Sequence, residues 1–389
     1  MKFIHTSDWH IGRQFHNVSL LEDQAHVLAQ LFEYIEQEAV DALVIAGDIY
    51  DRSVPPATAV ELLDRVLNRI CNELGVPVIL IPGNHDSAER LRFGARQLRQ
   101  SGLFIVGELG QVAEPVKLTR DGLEVHFYGI PYNDPEAVRN RFGVEVSNHD
   151  EAHTFLVQQI VESNGIGTDK SEAPINVLIS HCFVDGAKES DSERPLSIGG
   201  ADRVSYEPLC PFDYVALGHL HSPQYRGERH IRYSGSLLKY SFSEQNQKKG
   251  VTLVQLDGDG VVDQQHLPLK PLRDMRVMEG ALTTLLEQGK TDPQSDDYLL
   301  VRLTDRQAIL DPMGKLREVY PNVLHLEKPG MLAASEQPLK REKLKRGELE
   351  MFGDFFSQVY GQPLSEAQSA VLRETLASLH KEPSGGGDA

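Results

Sequence analysis

The chain has 389 residues, of which 40% are hydrophobic and 25% charged, a balance that excludes disordered and fibrous proteins. This length allows one large core and a second small one, so we expect a main domain with smaller appendages. The net charge of −18 argues against a surface that binds nucleic acid all over, because phosphate contacts normally draw on many Lys and Arg residues.

Three features of the sequence bear on where the protein acts. The apolar runs, such as residues 77–82, are far shorter than a membrane span, so we expect a soluble chain with no membrane partner. The first ten residues reach an Asp/His cluster without an apolar signal segment. Cys71, Cys182 and Cys210 are an odd number without metal-ligand pairing, which favours a reducing cytoplasm, and Cys182 is interpreted as a buried structural thiol.

Residues 1–270 repeat one theme, a short run of Val, Ile and Leu that ends abruptly in polar residues. Such runs are typical of strands buried on both faces of a sheet. The segments 20–38 and 57–73 between the early runs have apolar residues at helical spacing. The predicted fold class is therefore α/β, with layered sheets flanked by helices. The runs are KFIHTSDWH, DALVIAGDIYD, PVILIPGNHD, INVLISH and DYVALGHLH.

Each of these runs carries Asp, Asn or His at its carboxyl end. Ligand sites of open α/β sheets lie at the carboxyl ends of the strands, so we expect these side chains to converge. Each motif is weak alone, but their joint occurrence at successive strand ends predicts a functional site. The candidates are Asp8 and His10 in DxH, Asp48 and Asp51 in GDxxD, Asn84 and His85 in GNHD, the single His181, and His219 and His221 in GHxH.

Two metal shells can be drawn from these residues, with Asp48 as a bridge. Mixed carboxylate, amide and imidazole ligation favours Mn²⁺, with Fe²⁺, Zn²⁺ and Mg²⁺ as alternatives. Two dications less two carboxylates leave a charge of about +2, which attracts a phosphodiester and stabilises its transition state. The shells are Asp8, His10, Asp48 and His221 around one ion, and Asp48, Asn84, His181 and His219 around the other.

His85 is predicted to be the catalytic residue, because Asn84 of the same turn already serves as a ligand. A free imidazole beside the metals can stabilise the equatorial oxygens or protonate the leaving alkoxide. Asp51 or Asp86 is a candidate to orient a ligand or catalytic imidazole. The YSGS segment at 233–236 either lines the phosphate site with backbone N–H groups or forms a turn, and the turn is the favoured interpretation.

The pattern changes after residue 270. Residues 271–332 alternate strand-like and helix-like segments, which predicts a small α/β capping domain. A polar linker with Pro338 then leads to a two-helix unit, and linker and helices together span residues 333–381. Residues 382–389 are predicted to be disordered. The first helix has Phe352, Phe355, Phe356 and Val359 on one face, and the second, N-capped by Ser365, carries Leu372, Leu376 and Leu379. These helices either dock a partner or pack on the main domain.

The motifs DxH, GDxxD, GNHD, H and GHxH, in this order across residues 1–222, resemble the signature of the calcineurin-like metallophosphoesterases. Within that superfamily the sequence is similar to the SbcD family, the nuclease subunits of SbcCD complexes. The similar segments are FIHTSDWHIG, VIAGDIYDRSVPP, GNHDS, DYVALGHLH and RYSGSLLKYSF, and the chain length and the C-terminal layout also agree.

The resemblance implies a Mn²⁺-dependent nuclease with 3′ to 5′ exonuclease action on double-stranded DNA ends and endonuclease action on single strands and hairpins. The expected processes are DNA repair, replication and recombination. The resemblance also implies a coiled-coil ATPase partner of the SbcC type, gripped by the C-terminal helices in a heterotetramer with self-dimerisation, located in the cytoplasm at the nucleoid. Such a partner would carry much of the DNA contact, which would account for the acidic charge of this chain.

Two alternatives remain open from the sequence. The first is a calcineurin-like enzyme acting on another phosphoester, such as a cyclic nucleotide or a phosphoprotein, which would need neither cap nor docking helices. The second is a binding scaffold of the same fold without catalysis. The complete ligand set together with His85 argues against the scaffold.

Overall fold

The computed structural model divides into two compact units, Met1–Asp274 and Met275–Ala389. The first unit contains two six-stranded sheets, and the second contains a three-stranded sheet. The residues described by the structure are 1–167, 174–193, 202–305, 307, 309–328, 349, 352–353, 356–357 and 360–379.

The strands of the described residues, in chain order, are β1 Lys2–Thr6, β2 Gln14–Phe15, β3 Val18–Ser19, β4 Ala42–Ala46, β5 Val78–Ile81, β6 Leu103–Ile105, β7 Val116–Arg120, β8 Leu123–Ile130, β9 Ile175–His181, β10 Phe183–Val184, β11 Arg203–Val204, β12 Tyr214–Gly218, β13 Gln224–Arg226, β14 Glu228–Tyr233, β15 Gly250–Asp257, β16 Gly260–Pro268, β17 Met275–Gly280, β18 Tyr298–Leu303 and β19 Val323–Glu327. The α-helices of the same residues are α1 Leu21–Gln37, α2 Ala57–Asn68, α3 Ala88–Leu91, α4 Ala95–Leu98, α5 Pro135–Phe142, α6 His149–Asn164, α7 Leu282–Gly289, α8 Pro312–Arg317 and α9 Glu366–Leu379.

The first sheet has the order β16-β15-β1-β4-β5-β6 and the second the order β13-β14-β12-β9-β8-β7. Strands β1, β4, β5 and β6 are parallel, as are β8, β9, β12 and β14, while the remaining strands of both sheets pair antiparallel at the edges. All five predicted strand runs are present, and each of them lies in one of the parallel sets. Their carboxyl ends therefore lie at one edge of each sheet.

The two sheets pack face to face through an apolar core drawn from both. Phe3 of β1 is fully buried, and its ring meets Phe127 and Tyr214 of the second sheet edge to face at centroid distances of 5.6 and 5.5 Å. Such aromatic pairs contribute about 0.5–1.5 kcal/mol beyond the area they bury. The sandwich of the predicted fold class is thus held together by an apolar and aromatic core shared by the two sheets.

Helices cover both outer faces of the sandwich. The predicted helix over 20–38 is α1, which buries Val27, Leu28, Leu31 and Ile35 at helical spacing. The predicted segment 57–73 is α2 followed by one π-helical turn. Helices α5 and α6 pack on the second sheet through a separate apolar cluster. No helix within the described ranges has both the length and the apolar composition needed to cross a membrane.

The second unit begins with the parallel order β17-β18-β19, and α7 and α8 contribute to its apolar core. The strand-like and helix-like segments predicted for this region are therefore present. Ser365 caps α9 as predicted, since its Oγ accepts from the Gln368 N–H at 3.3 Å while Gln368 Oε1 accepts from the Ser365 N–H at 2.9 Å. Phe355, Val359 and the predicted linker and tail lie outside the described residues.

The buried imidazole of His5 makes the stability of the sandwich depend on pH. It is fully buried between the sheets, with Nδ1 3.0 Å from Tyr214 Oη and Nε2 3.1 Å from the Leu217 carbonyl oxygen. Burial lowers its pKa from 6.5 to about 3, although the Leu217 contact opposes the shift. Below pH 6.5 the unfolded chain therefore takes up a proton that the folded chain excludes, and stability is lost as the pH falls towards 3.

We expect His5→Gln to reduce the slope of unfolding free energy against pH by about 1.4 kcal/mol per pH unit between about pH 4 and 6. Urea unfolding of the metal-free chain at several pH values measures this slope. The control is His26→Gln, at an exposed position of α1, which should leave the slope unchanged. An equal change in both variants would contradict the assignment to His5.

Candidate metal centre

The carboxyl ends of the two parallel strand sets meet at one rim of the sandwich. His181 at the end of β9 donates from Nδ1 to the carbonyl oxygen of Ala46, the last residue of β4, at 2.8 Å. The His219 N–H, just after β12, donates to Asp8, just after β1, at 3.0 Å. These contacts join the first sheet to the second, so the polar clusters of five separate strands converge as the sequence predicted.

Four of the predicted ligands occupy strained backbone positions. Asp8, His10, Asp48 and His219 have φ angles of 53°, 45°, 50° and 105°. Few residues other than glycine adopt positive φ, although Asp and His tolerate it better than most, and such strain concentrates at functional sites. Hydrogen bonds between the loops stabilise these turns, for example from the Asp8 N–H to the Gly47 carbonyl oxygen at 3.1 Å.

Two glycines allow the loops to approach one another. A Cβ atom at Gly83 would collide with the backbone and side chain of Asp48, and one at Gly218 would collide with the carbonyl group of Ala46. Glycine before Asn84 and before His219 is therefore required by close packing between neighbouring strand ends.

Asp8, His10 and His221 form the first cluster, with ligand atoms within 4.8 Å of one another. His10 Nε2 lies 3.1 Å from His221 Nε2 and 3.6 Å from Asp48 Oδ2. Burial, with the neighbouring imidazoles, lowers the pKa of His10 well below its usual value. One of these nitrogens can donate a proton to the other, and with both unprotonated the two lone pairs would be placed to bind one cation.

Asp8, Asp48 and His181 form the second cluster. His181 Nε2 lies 2.9 Å from Asn84 Oδ1 and 3.5 Å from Asp48 Oδ2. Because the Nδ1 proton of His181 is donated to a backbone carbonyl, Nε2 presents a lone pair to these oxygens. His219 joins through Nδ1, which is 3.2 Å from the same amide oxygen. These nitrogen and oxygen atoms direct lone pairs at one another, an arrangement that a second cation would stabilise. The fold and both clusters therefore support the binding of divalent metals here.

His85 lies beside these clusters rather than between them. Its N–H donates to Asp48 Oδ1 and its Nδ1 to the Asp51 carbonyl oxygen, each at 2.9 Å. Its ring centroid is 4.7 Å from that of His10. The Asp51 carbonyl therefore orients the ring, and Nε2 is left available to contact a substrate. His85 can also be grouped with His10 and Asp51 as a third set of potential ligand atoms.

The two candidate orienting carboxylates differ in their contacts. Asp51 Oδ1 accepts from Arg13 at 3.3 Å and lies 3.8 Å from His10 Nδ1, which is beyond hydrogen-bond distance, so its role in orienting that imidazole stays a prediction. Asp86 accepts from the backbone N–H groups of Gly83, Ile49 and Tyr50 at 2.9–3.0 Å. The interpretation of Asp86 as an imidazole partner is wrong. A carboxylate with three backbone donors instead stabilises the two ligand loops.

Sequence reasoning missed the polar residues that support the ligands. Ser7 Oγ donates to Asp8 Oδ2 at 2.6 Å. Glu244, Lys249, Ser192 and Glu193 surround His221. Burial opposes ionisation of Glu244, but Lys249 and His221 hold its pKa below its usual value. The sequence contained no signal for them, because Glu244 and Lys249 belong to the polar segment SFSEQNQKK, which is typical of an exposed loop.

Two further sequence interpretations can be compared with the structure. The turn favoured for YSGS is absent, because Tyr233 ends β14 and residues 234–236 form an irregular segment. The backbone of the YSGS segment contacts other protein groups, with the Ser236 N–H donating to the His221 carbonyl oxygen at 3.2 Å and the Gly235 carbonyl accepting from Ser7. Cys182 is buried, and burial raises the pKa of its thiol to about 12, so it stays protonated and unreactive.

The family comparisons agree with this geometry. Residues 1–223 match the profile of the calcineurin-like phosphoesterases, and residues 271–360 match a profile described as the type 5 capsule protein repressor C-terminal domain. Fold and site thus define a metal-dependent phosphoesterase. SbcD, the D-type subunit of nuclease SbcCD, from Staphylococcus epidermidis is 35% identical over 380 residues, covering 97% of this chain and 99% of the relative. The chain belongs to the SbcD family of SbcCD nucleases, which confirms the predicted fold class and enzyme class.

Solved structures of low identity also match. A hypothetical protein from Thermus thermophilus is 12% identical with a TM-score of 0.36, covering 69% of this chain and 98% of its own. A dimetal phosphatase from Danio rerio is 12% identical with a TM-score of 0.39, covering 69% and 99%. Likenesses at these scores carry no argument about the substrate.

Proposed function

We propose that the chain is the nuclease component of an ATP-dependent complex and hydrolyses DNA phosphodiesters at a two-metal centre. The observation that carries this proposal is the convergence of carboxylate, amide and imidazole groups in two clusters that share Asp8. Asp48 belongs to the second cluster and lies 3.6 Å from His10 of the first. The proposed activities of the chain are 3′ to 5′ exonuclease action on double-stranded DNA ends and endonuclease action on single strands and hairpins.

The donor set supports Mn²⁺ as the native metal, because imidazole and carboxylate oxygen occur together without thiolate. Asp8, His10, Asp48 and His221 would hold one ion, and Asp48, Asn84, His181 and His219 the other. Ions bound there would supply Lewis-acid chemistry, making water a better nucleophile and neutralising charge on the phosphoryl group. Asp48 is suited to bridge them because Oδ2 lies 3.6 Å from His10 Nε2 and 3.5 Å from His181 Nε2.

His85 would move the proton. With Nδ1 hydrogen-bonded to the Asp51 carbonyl, a protonated ring has its second N–H on Nε2, where it can be donated to the leaving alkoxide. The same N–H can instead stabilise an equatorial phosphoryl oxygen. Both roles require only that the imidazole stay outside the metal shells.

The proposed partner is a coiled-coil ATPase of the SbcC type, in a heterotetramer that includes self-dimerisation of this chain. The name of the Staphylococcus relative supports a two-protein assembly. In the C-terminal unit, Phe352 is 45% and Val371 64% exposed, which supports docking through the terminal helices. A partner that grips the duplex would also compensate for the net charge of −18.

The test is an assay of the full chain with Mn²⁺ on two substrates, bis-p-nitrophenyl phosphate and an end-labelled DNA duplex, with and without the ATPase partner and ATP. We expect hydrolysis of both, with the partner and ATP extending action on the duplex. Mn²⁺ chelation should abolish both activities. Hydrolysis of a cyclic nucleotide far faster than of any DNA end would contradict the nuclease proposal while leaving the metal centre intact.

A variant truncated before residue 340 tests the docking part of the proposal in the same assay. It should retain hydrolysis of the small ester and lose stimulation by the partner, because only the terminal helices are removed. Unchanged stimulation by the partner would show that docking uses another surface.

A further inference from the structure

His221 has contacts on both sides of its ring. Nε2 lies 3.1 Å from His10 Nε2 and so belongs to the first cluster. Nδ1, on the other side, lies 2.5 Å from Ser192 Oγ. The imidazole edge that faces away from the metal centre therefore has a hydroxyl partner.

Ser192 connects this imidazole to a fully buried carboxylate. Its hydroxyl donates to Glu244 Oε1, and that oxygen is itself 3.4 Å from His221 Nδ1. A serine hydroxyl has one proton and two lone pairs, so it can accept from the imidazole N–H while donating to the carboxylate. This arrangement selects the tautomer with the proton on Nδ1 and leaves the Nε2 lone pair for a metal.

Lys249 pairs with the carboxylate and also holds the backbone of the same histidine. Its Nζ is 2.6 Å from Glu244 Oε2 and donates to the His221 carbonyl oxygen at 2.7 Å. Glu193 Oε1 accepts from the His221 N–H at 2.8 Å. A buried carboxylate is stable only when it is paired and hydrogen-bonded, and here Lys249 and Ser192 meet both needs.

We propose that Glu244, acting through Ser192 and paired with Lys249, is a positioning residue that sets the metal affinity of the first cluster. The inference rests on the proposed two-metal function. His181 of the second cluster is oriented by the Ala46 backbone carbonyl instead, which no side-chain substitution removes. Loss of the serine hydroxyl should therefore weaken one ion and spare the other.

The experiment is Ser192→Ala in the full chain, titrated with Mn²⁺ by calorimetry and by electron paramagnetic resonance. The wild type should bind two ions and show the spectrum of a coupled pair. The variant should bind one ion about 10- to 100-fold more weakly, the usual effect of losing such an outer partner. At limiting Mn²⁺ its spectrum should be that of an isolated ion, and saturating Mn²⁺ should restore both the coupled signal and kcat. Glu244→Gln should act in the same direction.

The matched control is Ser243→Ala. Ser243 is exposed, and its Oγ accepts from the Asp191 N–H at 3.2 Å, so it fastens the loop that carries Ser192 to the segment that carries Glu244. No contact joins it to His221 among the described residues. This variant should keep both wild-type affinities. Equal weakening in both serine variants would show only a loosened loop and overturn the proposal.

The remaining outcomes separate the two proposals. Two tight ions in folded Ser192→Ala would overturn the positioning role alone. A wild-type chain that bound fewer than two ions would overturn the two-metal function on which that role rests. Glu244→Gln leaves Lys249 buried without its partner and could fail to fold, in which case Ser192→Ala still decides.

Discussion

His85→Ala is expected to lower kcat for DNA hydrolysis by about 10²- to 10⁴-fold while both metal ions remain bound, because it removes a proton donor without removing a ligand. His85 contacts the clusters through its backbone N–H, which donates to Asp48 Oδ1 at 2.9 Å and is retained in alanine. The measurements are kcat on a labelled duplex and Mn²⁺ stoichiometry by calorimetry. Loss of one equivalent of Mn²⁺ would show instead that His85 binds metal together with His10 and Asp51.

A second substrate distinguishes the two chemical roles of His85. p-Nitrophenolate leaves without needing a proton, whereas the alkoxide of DNA needs one. If His85 protonates the leaving group, the variant should lose far more activity on DNA than on bis-p-nitrophenyl phosphate. Similar losses on both substrates would indicate stabilisation of the equatorial oxygens. His149→Ala, a half-buried histidine in the cavity lined by Tyr132 and His181, is the control and should retain most activity.

Asp48→Asn is expected to weaken both ions, by more than about 100-fold each, and to lower kcat/KM on the order of 10³-fold. The same oxygen, Oδ2, faces His10 of the first cluster and His181 of the second. Asparagine is nearly isosteric but removes the negative charge and one of the two oxygens, so a bridge can no longer form. Calorimetry and the bis-p-nitrophenyl phosphate assay measure the two effects.

Asp64→Asn, at an exposed position of α2, is the control and should change neither quantity. Loss of a single ion in Asp48→Asn would show that Asp48 belongs to one shell only. The two clusters would then need another bridging group, and Asp8, which contributes to both, would be the next residue to replace.

The sequence predicted secondary structure best in segments that are fully buried and whose apolar residues are consecutive. Strands such as β4 and β12 are buried along their whole length, so their apolar runs have a single interpretation, and the ligand motifs follow them directly. The spacing of DxH and GHxH then indicated the candidate ligands without any knowledge of sheet order. The N-cap at Ser365 was predictable for the same reason, since a capping box is read within four residues.

Residue type and spacing were thus sufficient for the α/β class, the strand ends and the polar residues that converge there, because buried strands and the turns after them are short-range features. The tertiary structure decided which groups support those ligands. Glu244 reaches His221, and Asp86 reaches Ile49 and Tyr50, only because distant segments meet at the rim of the sandwich. A carboxylate has the same sequence signature whether it orients an imidazole or caps backbone N–H groups, and only its neighbours in space distinguish the two roles.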